Sequence, residues 1–574
     1  MFAMQPCVRW GLLLAAALSA QLAAAQPLRV HGAQAAAPKQ AITALAHRAP
    51  PGSAGSQLVL RPLPPAQMRP AAGAGNEKAL QIGLSRAVAT EAQGDPAVAL
   101  HWEPAADGVG LTARVVIMSP GAGALRAGLA SRSIPPDAQL RFYSSRDPAR
   151  VIGPIAGEEL AEAVRMWGIY WSPVTDGDTQ VVELWVGSSA QASSAALRIE
   201  TVSHIFPAVT DLAKDATGAG AAQPCHEDVA CVEPANPDLA RNIRSVMKLV
   251  FTRNGATFLC TGTLINDAQS SQVPYVYTAA HCIDSQASAA SLNTIWHFQS
   301  GTCGGMASAQ YEQLAGGATL LFSDADSDGA LLRLADRAPD GAWFSGWDAT
   351  PLEAATDVVA LHHPRGDLKK LAVGSAVVSP TPLYSTVAWR VGATEPGSSG
   401  SGLFTKGDGE YVLRGGLRGG ASSCQTSGNV ADPSDTDLYS RLDRVAPLLK
   451  QWLAPAPVPA EDFSGMWYDT QEPGWGVGIA QSPAGRTFVT WYTYGVDGMP
   501  TWLVAPEPSW NSATSLEGTL YRTAGSPYAA TYDPSRFALI AAGTIRIDFA
   551  HGTASATLVL DGKPLAKPLV RMAL

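Results

Sequence analysis

Alternation of apolar and polar residues predicts strands in the N-terminal third of the chain. Strand-type runs lie at residues 111–118, 140–143 and 181–186, and one helical stretch lies near 158–167. Strands mixed with a helix are typical of a small α+β unit. We therefore expect a folded unit over about 78–206.

The pattern changes after residue 225. From there to about 453, many short β-type runs are separated by Gly, Asn, Asp and Ser, and a helical pattern occurs only at 444–452. This predicts an all-β domain, either a barrel or a sandwich. Residues 454–460 then read APAPVPA, the composition of a stiff, extended linker. We assign the linker to 454–462 and expect a separate domain after it.

The stretch 463–574 alternates again at 487–494, 544–549 and 553–560, with Gly-Asp and Asp-Gly turns between the runs. It is predicted to be a second, β-rich domain. Most of its tryptophan rings are expected in the core or in strand pairs. The alternative is a carbohydrate or cell-wall contact, because exposed aromatic faces suit sugar rings. The tryptophans are Trp467, Trp475, Trp491, Trp502 and Trp510.

Length and composition limit the class of protein. A chain of 574 residues exceeds the roughly 250 to 300 residues at which single hydrophobic cores stop growing, so several domains are needed. Hydrophobic residues make up 46% and charged residues 16%, which is typical of a globular chain. The net charge of −9 provides no basic surface, and nucleic acid is not an expected partner.

The N-terminus has the pattern of an export signal. A basic residue precedes an apolar run over 10–22, and an Ala-x-Ala site follows the run. The run is shorter than the ~20 apolar residues that span a bilayer, so residues 1–25 are predicted to be a signal peptide. We expect a secreted, extracellular protein without a membrane partner. The Ala, Pro and Gln-rich stretch 26–76 is predicted to be a flexible lead-in.

The seven cysteines become six once Cys7 leaves with the signal peptide. An even number in an exported chain predicts three disulfides. No pair has the Cys-x-x-Cys spacing that is usual in tetrahedral zinc sites, so we expect neither a metal nor another cofactor. The six are Cys225, Cys231, Cys260, Cys282, Cys303 and Cys424.

Three short motifs carry the chemistry, in the chain order His, Asp, Ser. They are Thr-Ala-Ala-His-Cys around His281, Asp-Gly-Ala-Leu-Leu-Arg-Leu from Asp328, and Glu-Pro-Gly-Ser-Ser-Gly-Ser around Ser399. A serine hydroxyl becomes a nucleophile when an imidazole takes its proton, and the imidazole needs a buried carboxylate to fix its tautomer. This order is similar to the chymotrypsin arrangement. His281, Asp328 and Ser399 are the predicted catalytic triad.

The glycines around Ser399 predict an oxyanion hole. A tight turn over 397–400 can aim two backbone N–H groups at one point. Such donors face the charge that develops on the substrate oxygen, and losing one typically costs on the order of 3 kcal/mol of transition-state stabilisation. We assign the N–H groups of Gly397 and Ser399 to this role.

A competing motif over 324–329 matches the opening of an EF-hand calcium loop. The match then fails, because the twelfth loop position is Ala335 and no helical pattern flanks the loop. Asp328 is preferred over Asp324 and Asp326 as the triad carboxylate, since an apolar run begins just behind it and would bury it beside the core.

Together these residues resemble the bacterial lysyl endopeptidases, a secreted branch of the trypsin-like serine proteases. The resemblance covers about 225–452 and includes Cys-His-Glu-Asp-Val-Ala-Cys at 225–231, Trp347-Asp348, His362-His363-Pro364 and Leu-Arg-Gly-Gly at 417–420. It implies two six-stranded antiparallel β-barrels with the triad in the cleft between them. It also implies three disulfides, which are Cys225 to Cys424, Cys231 to Cys303 and Cys260 to Cys282.

The resemblance further implies a precursor. Residues 26–214 would be a propeptide that assists folding and keeps the protease inactive, and 215–453 would be the protease domain. Lys214 lies in an Ala and Gly-rich linker ahead of Cys225, so we expect self-processing after Lys214. The alternative is that the 78–206 unit is an independent binding domain retained in the mature protein.

By the same resemblance, Asp437 in an Asp-Leu-Tyr run lies at the base of the primary pocket, with Arg418 and Gly419 beside it. A carboxylate there would pair with a Lys or Arg side chain. The expected activity is hydrolysis of proteins and peptides after Lys, or after Lys and Arg. Two alternatives stay open: a different specificity because Arg418 disturbs the pocket, or an inactive protease fold that acts as an adhesin through a carbohydrate-binding tail.

Overall fold

The structure is a computed structural model that describes residues 29–36, 46–50, 52, 55–67, 78–91, 97–207, 222–305, 311–455, 457–482 and 486–573. The predicted signal peptide and Lys214 lie outside these ranges. Within them, none of the helices has the length and apolar character needed to cross a membrane. The chain divides into two compact units, Met1–Leu449 and Lys450–Leu574, and each is described by itself.

The part of the first unit before residue 207 combines fourteen described strands with three helices. The helices are α1 (Val88–Glu91), α2 (Gly157–Trp167) and α3 (Ser189–Ser194). Strands β1 to β14 are Arg29–Val30, Ala33–Gln34, Ser56–Val59, Leu80–Ala87, Ala97–Val98, Glu103–Pro104, Leu111–Met118, Ala124–Ser133, Gln139–Ser144, Ile152–Ala156, Tyr170–Trp171, Thr175–Asp176, Thr179–Val186 and Ala196–Ile205.

Apart from β1 and β2, the strands lie in two sheets that pack with helix α2 around one core, which confirms the α+β expectation. One sheet has the order β10-β9-β13-β7-β3, and β8, β14 and β4 lie together in the other. Helix α2 buries Leu160 and Ala163, which are three positions apart and so share one face of the helix. The helix ends at Gly168, whose left-handed φ of 80° forms the C-cap.

The lead-in over 26–76 contributes strands where the sequence predicted none. Strand β1 pairs with Trp347–Asp348, β2 pairs with Trp343–Phe344, and β3 lies parallel to β7. Elements of two to four residues are too short to show a period of their own, so partner strands far along the chain determine them.

The protease region contains sixteen strands and four helices among its described residues. The helices are α4 (Val229–Val232), α5 (Pro237–Ile243), α6 (Gln286–Ala290) and α7 (Leu442–Leu453). Strands β15 to β30 are Glu227–Asp228, Val246–Arg253, Ala256–Ile265, Tyr275–Ala279, Asn293–Trp296, Glu312–Leu314, Ala318–Asp324, Gly329–Leu334, Trp343–Phe344, Trp347–Asp348, Asp357–His362, Lys370–Val377, Tyr384–Val391, Gly402–Gly407, Glu410–Gly420 and Thr436–Ser440.

These strands form the two expected antiparallel barrels, although the series of the first has seven strands where the resemblance implies six. The first is the series β20-β19-β16-β17-β18-β22-β21, and its core includes Leu249, Val276 and Leu332. The second is a ring of six strands, β29-β28-β25-β26-β27-β30, which the pairing of β29 with β30 closes. The domain is therefore all-β with a trypsin-like double barrel. The strand β4 from the N-terminal region adds to the edge of the first barrel along β17.

Three disulfides link the elements of the protease region. They join Cys225 to Cys424, Cys231 to Cys303 and Cys260 to Cys282, which is the pairing that the resemblance implies. The third ties β17 to the turn after β18. Each is worth roughly 2 to 4 kcal/mol of stability.

The second unit contains a β-barrel whose strands follow each other around the ring. Strands β31 to β39 are Gly465–Tyr468, Gly476–Gln481, Thr487–Tyr494, Pro500–Ala505, Ser509–Ser512, Ser515–Ala524, Ala538–Ala550, Thr553–Leu560 and Lys563–Arg571. Pairings of β31 with β39 and of β34 with β36 close the ring, which leaves β35 outside it. Trp467, Trp491 and Trp510 are core residues, whereas Trp502 is 55% exposed.

A pair of carboxyl groups faces the same cavity between α2 and the first barrel. Glu159 from α2 and Asp336 from the segment after β22 both line this cavity of about 430 Å³. Burial, together with the charge of Asp336, raises the pKa of Glu159 to about 7. Burial also raises the pKa of Asp336, which accepts a hydrogen bond from the Gly316 amide at 3.0 Å.

The packing of α2 on the barrel should therefore weaken as the pH rises. Because the pKa of Glu159 is raised on folding from 4.5 to about 7, its contribution is fully present below pH 4.5 and is lost as the pH passes through 7. We expect the melting temperature of the full-length Ser399→Ala chain to fall between pH 5 and pH 8, and Glu159→Gln to reduce that fall. Glu158→Gln, at an exposed position of the same helix that does not line the cavity, is the control. An unchanged slope in Glu159→Gln would contradict the assignment.

Candidate active site

The structure brings His281, Asp328 and Ser399 together at the junction of the two barrels. Ser399 Oγ lies 2.8 Å from His281 Nε2, and His281 Nδ1 donates to Asp328 Oδ2 at 2.8 Å. Asp328 is 4% exposed and Ser399 is fully buried. The arrangement provides a nucleophile, a base beside it and a buried carboxylate that fixes the tautomer of the base, which is the geometry of acyl transfer.

Pairing between β18 and β22 places the imidazole on its carboxylate. Ala279 lies opposite Gly329 in this ladder, so His281 and Asp328 leave the two strands side by side. The His281 amide donates to Asp328 Oδ1 at 2.9 Å, which holds the carboxylate at both oxygens. Asp324 instead accepts hydrogen bonds from the amide and hydroxyl of Ser327, and so stabilises the turn before the triad carboxylate.

Two glycines shape the turn that carries Ser399. Gly397 has a φ of +99°, and a Cβ there would lie 2.8 Å from the His363 carbonyl oxygen. Gly400 has a φ of +79°, and a Cβ there would lie 2.1 Å from Thr278 Oγ1. The Gly397 N–H donates to the carbonyl oxygen of Lys78 at 2.6 Å, so one predicted oxyanion donor is directed at a peptide carbonyl. The same role for the Ser399 N–H stays a prediction.

Asp437 lies in a buried polar site, here called the Asp437 pocket, beside this turn. Its Oδ2 accepts hydrogen bonds from Trp389 Nε1 at 2.8 Å, Thr394 Oγ1 at 2.7 Å and Ser422 Oγ at 2.5 Å. Its Oδ1 lies 2.9 Å from Lys78 Nζ, and this ion pair is buried on both sides. The pocket therefore contains a lysine side chain from the N-terminal region of the same chain.

The pocket keeps the Asp437 carboxyl ionised. Burial alone raises its pKa, but the charge of Lys78 and the hydrogen bonds from Ser422 and Thr394 together lower the pKa below its ordinary value. Because the folded pKa is lowered, the ion pair stabilises the fold at neutral pH and is lost only as the pH falls through that lowered value.

Arg418 and Gly419 lie on β29, next to the strand that carries Asp437. The guanidinium of Arg418 lies over the Tyr384 ring, 4.7 Å from its centroid. Gly420, rather than Gly419, lies opposite Asp437 in the ladder of β29 and β30, and a Cβ there would lie 2.5 Å from Asp437 Oδ1. A side chain at Gly420 would therefore clash with the Asp437 carboxylate.

The sequence reasoning missed several residues of the pocket. Gly420 lies within the Leu-Arg-Gly-Gly run but was given no role, and Trp389, Ser422 and Lys78 gave no signal. Their contacts with Asp437 join positions 15 to 359 residues apart. Only the assembled barrel brings these groups together.

One set of metal-ligand types also lies close together, at Cys225, His226 and Cys424. The two sulfur atoms form a disulfide and are therefore not thiolate ligands. His226 Nε2 instead lies 3.0 Å from a carboxylate oxygen of Glu395, just before the Ser399 turn.

Replacing Asp328 with Asn should remove the fixed tautomer of His281 and leave the fold intact. By analogy with other triads, the rate at which Ser399 is acylated should fall about 10⁴-fold. The time course of labelling by a fluorophosphonate measures that rate, and circular dichroism checks the fold. Asp326→Asn, an exposed neighbour, is the control. Wild-type labelling of Asp328→Asn would contradict the role given to this carboxylate.

Comparison with known proteins matches both parts of the first unit. Residues 59–206 match the family model of the lysyl endopeptidase N-terminal domain, and residues 219–440 match that of the lysyl endopeptidase C-terminal domain. The chain is also similar to the lysyl endopeptidase of Pseudomonas aeruginosa, with 36% identity over 400 residues, which is 66% of this chain and 82% of that protein.

Among solved structures, the chain is similar to the active form of the Rv3671c protease from M. tuberculosis. That likeness has 20% sequence identity and a TM-score of 0.28, and it covers 41% of this chain and 93% of the other. The two matched domains and the identity to the P. aeruginosa protein identify the family. This chain belongs to the lysyl endopeptidase family and is a serine endopeptidase.

Proposed function

We propose that this chain is a secreted endopeptidase that cleaves peptide bonds on the carboxyl side of lysine. Ser399 attacks the substrate carbonyl while His281 takes its proton, and His281 then gives that proton to the leaving amine. Asp328 orients the imidazole and stabilises its charged form. The N–H groups of Gly397 and Ser399 stabilise the oxyanion, and water then hydrolyses the acyl-enzyme.

The observation that carries lysine specificity is the ion pair between Lys78 and Asp437. The amine lies 2.9 Å from Asp437 Oδ1, 2.6 Å from Thr394 Oγ1 and 3.1 Å from Ser422 Oγ. The carbonyl oxygens of Thr394 and Ser422 lie 2.9 and 3.3 Å from it. An ammonium has three protons directed around a compact head, whereas a guanidinium is a larger planar fork. A small pocket with acceptors on several sides therefore favours lysine over arginine.

The stacking of Arg418 on Tyr384 supports the same specificity. A guanidinium attached to Asp437 would neutralise the pocket and repel a cationic substrate. The charge that lowers the pKa of Asp437 is that of Lys78 and not that of Arg418. Arg418 therefore does not take the position at Asp437 that a substrate amine would occupy.

Secretion and self-processing complete the proposal. The predicted signal peptide and the three disulfides suit an oxidising compartment outside the cytoplasm. An enzyme that cleaves after lysine would accept Lys214 in its own linker, which would release the N-terminal region. Its partners are protein and peptide substrates, together with its own propeptide.

Asp437→Asn should abolish the preference for lysine. An unpaired substrate charge in a buried pocket costs about 3 to 5 kcal/mol, so kcat/KM for a Lys amide peptide should fall on the order of 10³-fold. Peptides that end in Lys, Arg, Phe and Glu amides measure the specificity, and the wild type should cleave the Lys peptide fastest. Asp432→Asn, in the loop just before β30, is the control. Efficient wild-type cleavage after Phe or Glu, but not after Lys, would contradict the proposal.

An exposed aromatic surface on the tail barrel favours a second function, which is polysaccharide binding. Tyr492 and Trp502 lie directly opposite each other on β33 and β34, and their side chains are 47% and 55% exposed. Phe488, on the same outer face of β33, is 41% exposed. Flat rings in a row on a strand pair suit the faces of sugar rings.

Trp502→Ser should lower retention of the full-length protein on insoluble cell-wall polysaccharide by about tenfold, because stacked aromatic contacts carry much of such binding. Pull-down on peptidoglycan and chitin measures it. Phe537→Ser removes an equally exposed ring elsewhere on the barrel and is the control. Equal retention of wild type and Trp502→Ser would refute this function. Retention of a wild-type protein that resists fluorophosphonate would instead favour the inactive adhesin.

A further inference from the structure

The segment around Lys78 lies in the cleft in the way that a substrate would. Its side chain enters the pocket of Asp437, and its carbonyl oxygen accepts the Gly397 N–H at 2.6 Å. These are the two contacts that identify the residue on the acyl side of a scissile bond: the side chain in the specificity pocket and the carbonyl in the oxyanion hole.

The residues after Lys78 continue across the site as a strand. Leu80 and Gln81 of β4 pair antiparallel with Leu259 and Phe258 of β17. Two residues further along β17, the Thr261 N–H donates to the Ser399 carbonyl oxygen at 2.8 Å, so β17 also contacts the loop that carries Ser399. The backbone of β4 is therefore held on the leaving-group side by strand addition, a common mode of peptide recognition.

This segment also covers the nucleophile. Ser399 is fully buried and Lys78 is only 7% exposed. A long amine buried in a closed pocket loses its side-chain entropy and hydration, and the ion pair with Asp437 offsets that cost. The N-terminal region therefore blocks the primary pocket.

We propose that Lys78 is an internal recognition residue of this protease, and that the Lys78–Ala79 bond is a self-cleavage site distinct from Lys214. The proposal rests on the lysine specificity argued above. Ser399 Oγ bonds to the Lys78 carbonyl carbon, His281 takes the hydroxyl proton and passes it to the Ala79 nitrogen, and the peptide bond breaks. Water then hydrolyses the ester, which leaves a Lys78 carboxylate and restores the serine hydroxyl.

While the cleaved segment stays bound, Lys78 still occupies the Asp437 pocket and inhibits the enzyme. After the bond breaks, the Lys78 amine still has its contacts with Asp437, Thr394 and Ser422, and β4 still has its ladder with β17. Cleavage therefore does not by itself open the site. Release requires the new chain end at Lys78 to leave the pocket.

N-terminal sequencing and intact mass of the full-length chain over time test the cleavage. The wild type should produce a fragment that begins at Ala79, and Ser399→Ala should not. Lys78→Met keeps the length of the side chain and removes its charge, so the Ala79 terminus should disappear. Lys214→Met is the matched control and should still produce it. A wild type that never produces the Ala79 terminus overturns the proposal.

A binding measurement tests the blockade without any cleavage. The probe is a fluorescein-labelled peptide that ends in a free lysine carboxylate, and its anisotropy is followed with full-length Ser399→Ala. Combining Lys78→Met with Ser399→Ala should lower the Kd of the probe at least tenfold. Combining Lys214→Met with Ser399→Ala should leave the Kd unchanged. Equal affinity in Ser399→Ala with and without Lys78→Met overturns the blockade.

The experiments distinguish a failure of the internal cleavage site from a failure of the proposed lysine specificity. If the mature enzyme cleaves Lys amide peptides while no Ala79 terminus appears, the internal site is wrong and lysine specificity stands. If the mature enzyme does not cleave Lys amide peptides, the proposed function itself is wrong.

Discussion

A carboxylate that water cannot reach must be paired or lose its charge, and Asp437 is such a group. Three neutral donors hold its Oδ2, so Oδ1 is the position left for a cation. The strands that close the second barrel build this site. Val387 of β27 and Gly420 of β29 both lie opposite Asp437 in the ladders on either side of β30. The strand pairings that close the second barrel therefore also position the carboxylate that pairs with a cation.

The first barrel supplies His281 and Asp328, the second barrel supplies Ser399, and the strand ladders determine their positions. His281 and Asp328 leave adjacent strands, the disulfide between Cys260 and Cys282 ties that turn to β17, and Ser399 comes from the segment between β27 and β28. Strand β17 also receives β4 from the N-terminal region. One strand therefore contacts the turn that carries His281, the loop that carries Ser399 and the segment after Lys78.

Local sequence was enough for some of these features and not for others. His281 and Ser399 lie in short motifs with little freedom of interpretation, and the period-two runs at 111–118, 487–494 and 553–560 match observed strands residue for residue. Lys78 was one lysine at the start of a predicted unit, because its partner lies 359 residues away. The sequence left open whether Arg418 disturbs the pocket, because the contact of its guanidinium with the Tyr384 ring could not be inferred from spacing.

The central claim is that the pocket recognises the charge of a lysine side chain through Asp437. Norleucine has nearly the shape of lysine and lacks the amine, so a pair of peptides that differ only in this residue isolates the ion pair. A site built around a charged group rejects the analogue that lacks it by about 10⁴-fold. We predict that kcat/KM for the mature enzyme differs by about that factor between the two peptides, and that Asp437→Asn removes most of the difference. Similar kcat/KM values for lysine and norleucine in the wild type would contradict the account.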